Sequence, residues 1–166
     1  MDNKINLARG RALDLSEPII MGIVNVTPDS FSDGGQFFNI TAALKHAMQL
    51  LDDGATILDI GGESTRPGAP DVTLEDELQR VIPIIKAIRE QSDCVISIDT
   101  SKAEVMRQAI EAGADIVNDV RALQEPGALE VVAQYPDVVV CLMHMQGQPR
   151  SMQNDPHYDD LASEIN

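Results

Sequence analysis

Large rings are scarce in this 166-residue chain, which has no Trp, two Tyr and three Phe. Its core must therefore be aliphatic, built from Ile, Val, Leu, Ala and Met. Basic residues are also few: 12 Lys and Arg against 27 Asp and Glu leave a net charge of −15. Nucleic-acid and anionic-membrane partners are excluded on that ground, because phosphate backbones need a basic surface. A small anion would need a local cationic spot or a metal ion. No apolar run approaches a membrane span. The N-terminal "MDNKINLARGRALDL" has no apolar segment of signal-peptide length. The two cysteines, Cys94 and Cys141, are far apart, lie in or beside apolar runs and show no metal-ligand spacing. They read as buried reduced thiols, and the expected location is the cytoplasm.

What the chain does have is length and aliphatic content, 43% hydrophobic, enough for one domain with a real core. Apolar, β-branched runs recur at Ile19–Val26, Thr56–Gly61, Val95–Asp99, Ile116–Val120 and Val138–His144. Near-continuous apolar runs imply strands buried on both faces, as in a parallel sheet. Helical stripes lie between them. Ile40, Ala43, Leu44, Ala47, Met48 and Leu51 form the first, and Leu74, Leu78, Val81, Ile82 and Ile85 the second. Pro83 is expected to kink the second helix. Ser101 with Glu104 fits a capping box, and Glu125-Pro126 puts Pro at a first helical position. "DGATILDI" and "AGADIVND" echo one another, each with a Gly ending a helix before a strand. A hairpin is expected over "INLARG-RALDL". The β-α order repeats about five times. It fits an open doubly wound sheet or part of a (β/α)8 barrel, which takes about 250 residues when complete.

Both architectures put ligands at the C-terminal strand ends. The first two strands are followed there by long connections, "VTPDSFSDGGQFFN" and "GGESTRPGAPDV". In the second, Ser64, Thr65 and Arg66 among glycines suit a phosphate or carboxylate, and a solvated turn fits equally well. In the first, Asn and Asp oxygens suit Mg²⁺, although ordinary turn chemistry explains them too. Asn25, Asp59, Asp99 and Asn118 put polar groups near the ends of four successive strands. One such residue could serve only as a helix-start partner, but four together point to a polar pocket.

"MGIVNVTPDSFSDGG" and "LDIGGESTRPGA" resemble the two signatures of the dihydropteroate synthase family. "ISIDTSKAEV", "IVNDVRAL" and "CLMHMQGQP" are similar to its later strands in order and spacing. The resemblance runs over essentially the whole chain. It implies a TIM barrel, a cytoplasmic folate-pathway transferase and Mg²⁺ as cofactor. The implied reaction joins 6-hydroxymethyl-7,8-dihydropterin diphosphate to p-aminobenzoate, giving 7,8-dihydropteroate and diphosphate. By motif, Asn25 would bind Mg²⁺, and Thr65 and Arg66 the diphosphate. Asp99 and Asn118 would hydrogen-bond the pterin, with Val120 and Met143 lining its pocket. Phe31, Ser64, Thr65 and Pro67 would shape the p-aminobenzoate pocket, where sulfonamides compete. Asn25, Arg66 and Asp99 carry the implied chemistry. The C–O bond to diphosphate breaks first or mainly first, and a dihydropterin cation is captured by the arylamine. No nucleic-acid or membrane partner is implied, and a homodimer is.

Against that pattern the chain stops within the expected fifth helix, without the family's later Asp, Lys, Arg and His. It is expected to be inactive alone and prone to associate through open sheet edges. Two alternatives are a non-catalytic pterin or diphosphate-binding module and a pterin-dependent methyltransferase-type barrel. The TPDSFSDGG and ESTRPG loops argue against the methyltransferase, since methyl transfer to a corrinoid needs no diphosphate site. The resemblance also divides the three Phe. Phe31 is assigned to the aromatic amine, and Phe37 and Phe38 to anchoring the loop at the first helix, with Asn39 as its cap. Phe31→Ala, in a full-length enzyme, is expected to raise KM for p-aminobenzoate with the fold intact. Equal KM values for mutant and parent would remove that role.

Overall fold

A computed structural model describes residues 3–26, 35–63, 71–147, 152–153 and 155–165, and side chains from residue 40 onward in the first helix. A short antiparallel hairpin comes first, β1 (Lys4–Asn6) with β2 (Ala12–Asp14). Five parallel strands follow: β3 (Met21–Asn25), β4 (Ile57–Gly61), β5 (Val95–Asp99), β6 (Ile116–Asp119) and β7 (Val139–Leu142). Helices α1 (Gly35–Asp52), α2 (Leu74–Arg89), α3 (Ala103–Ala112) and α4 (Ala128–Val132) alternate with them, and the short α5 (Leu161–Ile165) comes last.

Topology separates the two candidate architectures. The strands lie side by side in chain order, β3-β4-β5-β6-β7, with no reversal. A doubly wound sheet reverses its order at a switch point and carries helices on both faces. Here one face takes α1 to α4. Val24, Leu58, Ile60, Ile96, Ile98 and Val117 share a core with α1 to α4. The alternate residues Ile57, Val95 and Ile116 pack instead against Leu7 and Leu13 of the hairpin region. Side chains of a strand point to opposite faces in turn, so these two sets define an outer and an inner face. The chain forms five β/α units of a (β/α)8 barrel, with the hairpin under the N-terminal end of its inner face.

One buried carboxylate fastens that arrangement. Asp115, wholly buried at the start of β6, receives Arg11 Nε of the hairpin region at 3.1 Å and Arg89 Nη2 of α2 at 2.5 Å. It also accepts the Ile96 N–H at 3.1 Å. Arg89 further donates to the carbonyls of Gly113 and Cys94. Gly113 ends α3 at φ 127°, and a Cβ there would sit 2.8 Å from Arg89 Cγ. Glycine is needed on both counts, for the backbone angle and for the approach of Arg89.

Several expected boundaries move. The first helix opens at Gly35, so Asn39 is a helical residue and not its cap. The apolar stripe from Ile40 marks where the helix meets the sheet rather than where it starts. Ser101 does not cap α3, because its hydroxyl donates to Asp119 Oδ1 at 2.6 Å and the helix starts after Lys102. Gly127 precedes α4 in a left-handed conformation, so Pro126 is not its first helical residue. α2 continues through Pro83 to Arg89. Both cysteines are free, but Cys94 is half-buried and Cys141 exposed, contrary to the expected burial. Cys141 lies on the outermost strand of the sheet, where no further strand flanks it among the described residues. No described helix is long and apolar enough to cross a membrane.

Asp115→Ala would leave two largely buried guanidinium groups without their carboxylate. A loss of about 3–5 kcal/mol is expected, read as a lower urea midpoint. An unchanged midpoint would show that Asp115 does not fasten the fold.

Candidate active site

Parallel register carries the sequence-predicted polar residues into one row. Across the sheet, Asn25 pairs with Gly61, Gly61 with Asp99, Asp99 with Asn118, and Asn118 with Cys141. One step below on the inner face runs Ile23, Asp59, Ser97, Ile116 and Val139. Below that come Met21, Ile57 and Val95, near the hairpin. The inner face thus grades from apolar at its floor to polar at the C-terminal strand ends. Asn25 is exposed, and Asp99 and Asn118 are partly buried. Val120 and Met143, both partly buried, directly follow β6 and β7, where Met143 N donates to Asp119 O.

The row is electrostatically loaded. Burial pushes the Asp99 carboxyl up from 3.8 to about 7, helped by the nearby charges of Asp59, Glu77, Asp119 and Glu63. Gly61 leaves a notch beside it. A Cβ at that position would lie 3.5 Å from both Asn25 Oδ1 and Asp99 Oδ2. Beneath, Asp59 is 4% exposed and accepts one hydrogen bond, from Asn118 Nδ2 at 3.2 Å. Asp59 Oδ1 and Ser97 Oγ are buried without a hydrogen-bond partner among the described residues. Buried polar atoms of this kind are uncommon and call for an explanation.

Behind the row a second set of charges secures the strand ends, and the sequence reasoning missed it. Glu77 of α2 is wholly buried, accepting from Thr100 Oγ1 at 2.6 Å and Lys102 Nζ at 2.5 Å. Lys102 also pairs with Glu63, just past β4. Burial draws the Lys102 ammonium down, but the hydrogen bonds to Glu63 and Glu77 outweigh it and hold it above its ordinary value. Gly62 packs onto the same helix, since a Cβ there would meet Val81 Cγ1 at 2.8 Å and Glu77 Cγ at 2.9 Å. Arg80 donates to the Gly62 carbonyl at 2.8 Å. The available signal was Glu77 itself, a carboxylate one helical turn before Val81 on an otherwise apolar stripe. Asp119, also wholly buried, accepts the N–H groups of Arg121 and Leu123 and so shapes the turn that carries Val120.

Of the expected site residues, Asn25, Asp99 and Asn118 are brought together, with Val120 and Met143 directly after their strands. Phe31, Ser64, Thr65, Arg66 and Pro67 lie outside the described residues, as do the side chains of Phe37 and Phe38. Among the described residues no three His, Cys, Asp or Glu side chains are arranged to hold a metal ion.

The model of one family, described as pterin binding enzyme, matches residues 21–166. The chain belongs to the pterin-binding enzyme family. It is 57% identical to the dihydropteroate synthase of Escherichia coli K12 over 159 residues, covering 96% of this chain and 56% of that one. The Yersinia pestis dihydropteroate synthase, solved with a sulfonamide drug, superposes at TM-score 0.86 with 57% identity, over 95% of this chain and 57% of that one. The Xanthomonas albilineans enzyme, solved with 4-aminobenzoic acid, does so at 0.83 with 52% identity, over 97% and 56%. The chain therefore spans little more than half the length of these relatives. Its five-stranded wall is part of the barrel that such pterin-binding enzymes share.

The raised Asp99 carboxyl has a stability consequence. Between about pH 4 and pH 7 the folded chain keeps a proton that the unfolded chain has released. Stability therefore falls as pH rises through that window and levels off above it. Asp99→Asn should match the parent near pH 4 and exceed it at pH 8 by on the order of 2–4 kcal/mol. Urea midpoints at the two pH values check this, and equal midpoints at pH 8 would contradict the burial assigned to Asp99.

Proposed function

We propose that this chain carries the pterin and metal contacts of a cytoplasmic dihydropteroate synthase of folate biosynthesis. That transferase condenses 6-hydroxymethyl-7,8-dihydropterin diphosphate with p-aminobenzoate, releasing diphosphate and forming 7,8-dihydropteroate. The observation that carries the reading is the register row Asn25–Gly61–Asp99–Asn118 at the strand ends. Asp99 and Asn118 offer hydrogen-bonding groups side by side to a nitrogen-rich ring.

The physical chemistry of the row suits such a reaction. Loss of diphosphate leaves positive charge spread over the dihydropterin. Asp99, partly buried and with its carboxyl raised to about 7, lies where that cation develops and can balance it. The arylamine is already a nucleophile and needs no general base to attack. The Mg²⁺ that the family implies fits the donors here. Asn25 presents a hard carbonyl oxygen at the mouth, and the Gly61 notch leaves room beside it. Mg²⁺ keeps most of its shell for water and substrate phosphates, so one protein oxygen suffices. When bound it would neutralise the leaving diphosphate, together with Thr65 and Arg66, assigned by motif.

In this reading Phe31, Ser64, Thr65 and Pro67 form the p-aminobenzoate pocket for which sulfonamides compete. The chain is proposed to pair as a homodimer, a reading supported by exposed apolar side chains on its helices, such as Leu129 of α4 and Leu161 of α5.

Calorimetry on the chain tests the reading. 6-Hydroxymethyl-7,8-dihydropterin diphosphate should bind in the presence of Mg²⁺, and Asn118→Ala should weaken it about tenfold, the loss of roughly one hydrogen bond to a buried group. Asn25→Ala should remove the Mg²⁺ dependence. Absence of binding by the parent, or equal affinity with Asn118→Ala, would overturn the assignment.

A further inference from the structure

We propose that Asp59 is a positioning residue for ring recognition: it grips one N–H of the Asn118 amide from beneath and so turns the Asn118 carbonyl toward the mouth as an acceptor. The inference rests on the synthase reading for the identity of the ring, but the contact itself does not.

The geometry is specific. Asp59 stands on β4 and Asn118 on β6, with β5 between them. Strands two apart in a flat sheet are separated by roughly 9–10 Å, so these side chains must lean toward one another over the concave face to meet at 3.2 Å. The register partner of Asp59 on β5 is Ser97, whose short side chain is wholly buried. A longer residue there would stand in the path of the contact.

The chemistry of the pair is equally specific. A carboxylate only accepts hydrogen bonds, whereas an amide can present either end. Facing a carboxylate, Asn118 must donate, and its oxygen is left for a ligand. A neutral Asn, Gln or Ser at position 59 would hold either orientation. Scaffolding alone does not explain the choice. Burying a carboxylate is costly, and Asp59 meets that cost with one hydrogen bond while its second oxygen has no partner among the described residues. The other buried carboxylates of the chain are far better served. Asp115 has two guanidinium groups and Glu77 an ammonium and a hydroxyl.

The consequence is selectivity. Asn118 and Asp99 are register neighbours, so the row offers two adjacent acceptors. They fit a heterocycle whose edge carries neighbouring N–H donors, as an amino-substituted lactam does, and they disfavour an edge made only of acceptors.

Two variants separate this role from a structural one. Asp59→Leu keeps the approximate size and cannot accept; Asp59→Asn keeps the shape and frees the amide to turn. In the parent, the side-chain amide protons of Asn118, assigned through their loss in Asn118→Ser, should exchange slowly with water in ¹H–¹⁵N spectra. Asp59→Leu should lose that protection while its urea midpoint stays equal or rises, because a buried charge has gone. Calorimetry with 6-hydroxymethyl-7,8-dihydropterin should show about tenfold weaker binding for Asp59→Leu, and a smaller loss for Asp59→Asn. A structural residue would lose stability and binding together. Unchanged Asn118 amide exchange, or parental affinity in Asp59→Leu, would overturn the proposal. If Asp59→Leu does not fold, Asp59→Asn decides on the same two readouts. Should the parent bind no pterin, the synthase reading fails, and the amide exchange still decides the role of Asp59.

Discussion

Unbroken parallel register from β3 to β7 is the constraint on which the other features depend. Parallel strands in chain order bring every C-terminal end to the same rim, and alternation of side chains then sorts each strand into an outer and an inner set. Register decides which inner residues become neighbours. Asn25, Gly61, Asp99 and Asn118 are distant in sequence, yet they form one line because each pairing holds its alignment. A slip of one residue on β5 would send Asp99 outward among the helices and bring Ile98 into the row. The outer set, almost wholly aliphatic, resists such a slip, since Ile96 and Ile98 are fully buried against the helices.

Charge is distributed by the same logic. The chain carries 27 acidic residues, and four of the buried carboxylates are partnered to different degrees. Asp115 is matched by two arginines and holds the hairpin, α2, β5 and β6 together. Glu77 is matched by Lys102 and Thr100 and secures the ends of β4 and β5. Asp119 is satisfied by a hydroxyl and two backbone N–H groups and sets a turn. Asp59 alone is left with a single amide. Full compensation accompanies the three carboxylates that fasten the architecture, and incomplete compensation accompanies the one beneath the Asn25–Gly61–Asp99–Asn118 row.

Much of this was legible in the sequence because strand burial writes itself as β-branched runs. All five parallel strands fall inside the runs read from composition alone. Barrel against doubly wound sheet was not legible in the strand runs, since strands buried on both faces look alike in either. The motif resemblance implied the barrel, and the spatial order of the strands bears it out. The helix-start signals failed for local reasons. Ser101 resembled a cap but serves Asp119 on the neighbouring strand, a partner invisible to spacing. Pro126 and Asn39 were read from residue type, while the backbone began one helix later and the other earlier. Asn25, Asp99 and Asn118 were found because strand ends collect ligands, a topological rule that needs no coordinates. Lys102, Glu63 and Glu77 were missed because their importance lies in pairing, and pairing across three segments leaves no local signature.

The hairpin that packs Leu7 and Leu13 against Ile57, Val95 and Ile116 closes the inner face at its lower end. The same face is thus apolar at the hairpin end and polar at the strand ends. Two leucines from outside the parallel sheet give a single surface a dry end and a wet end.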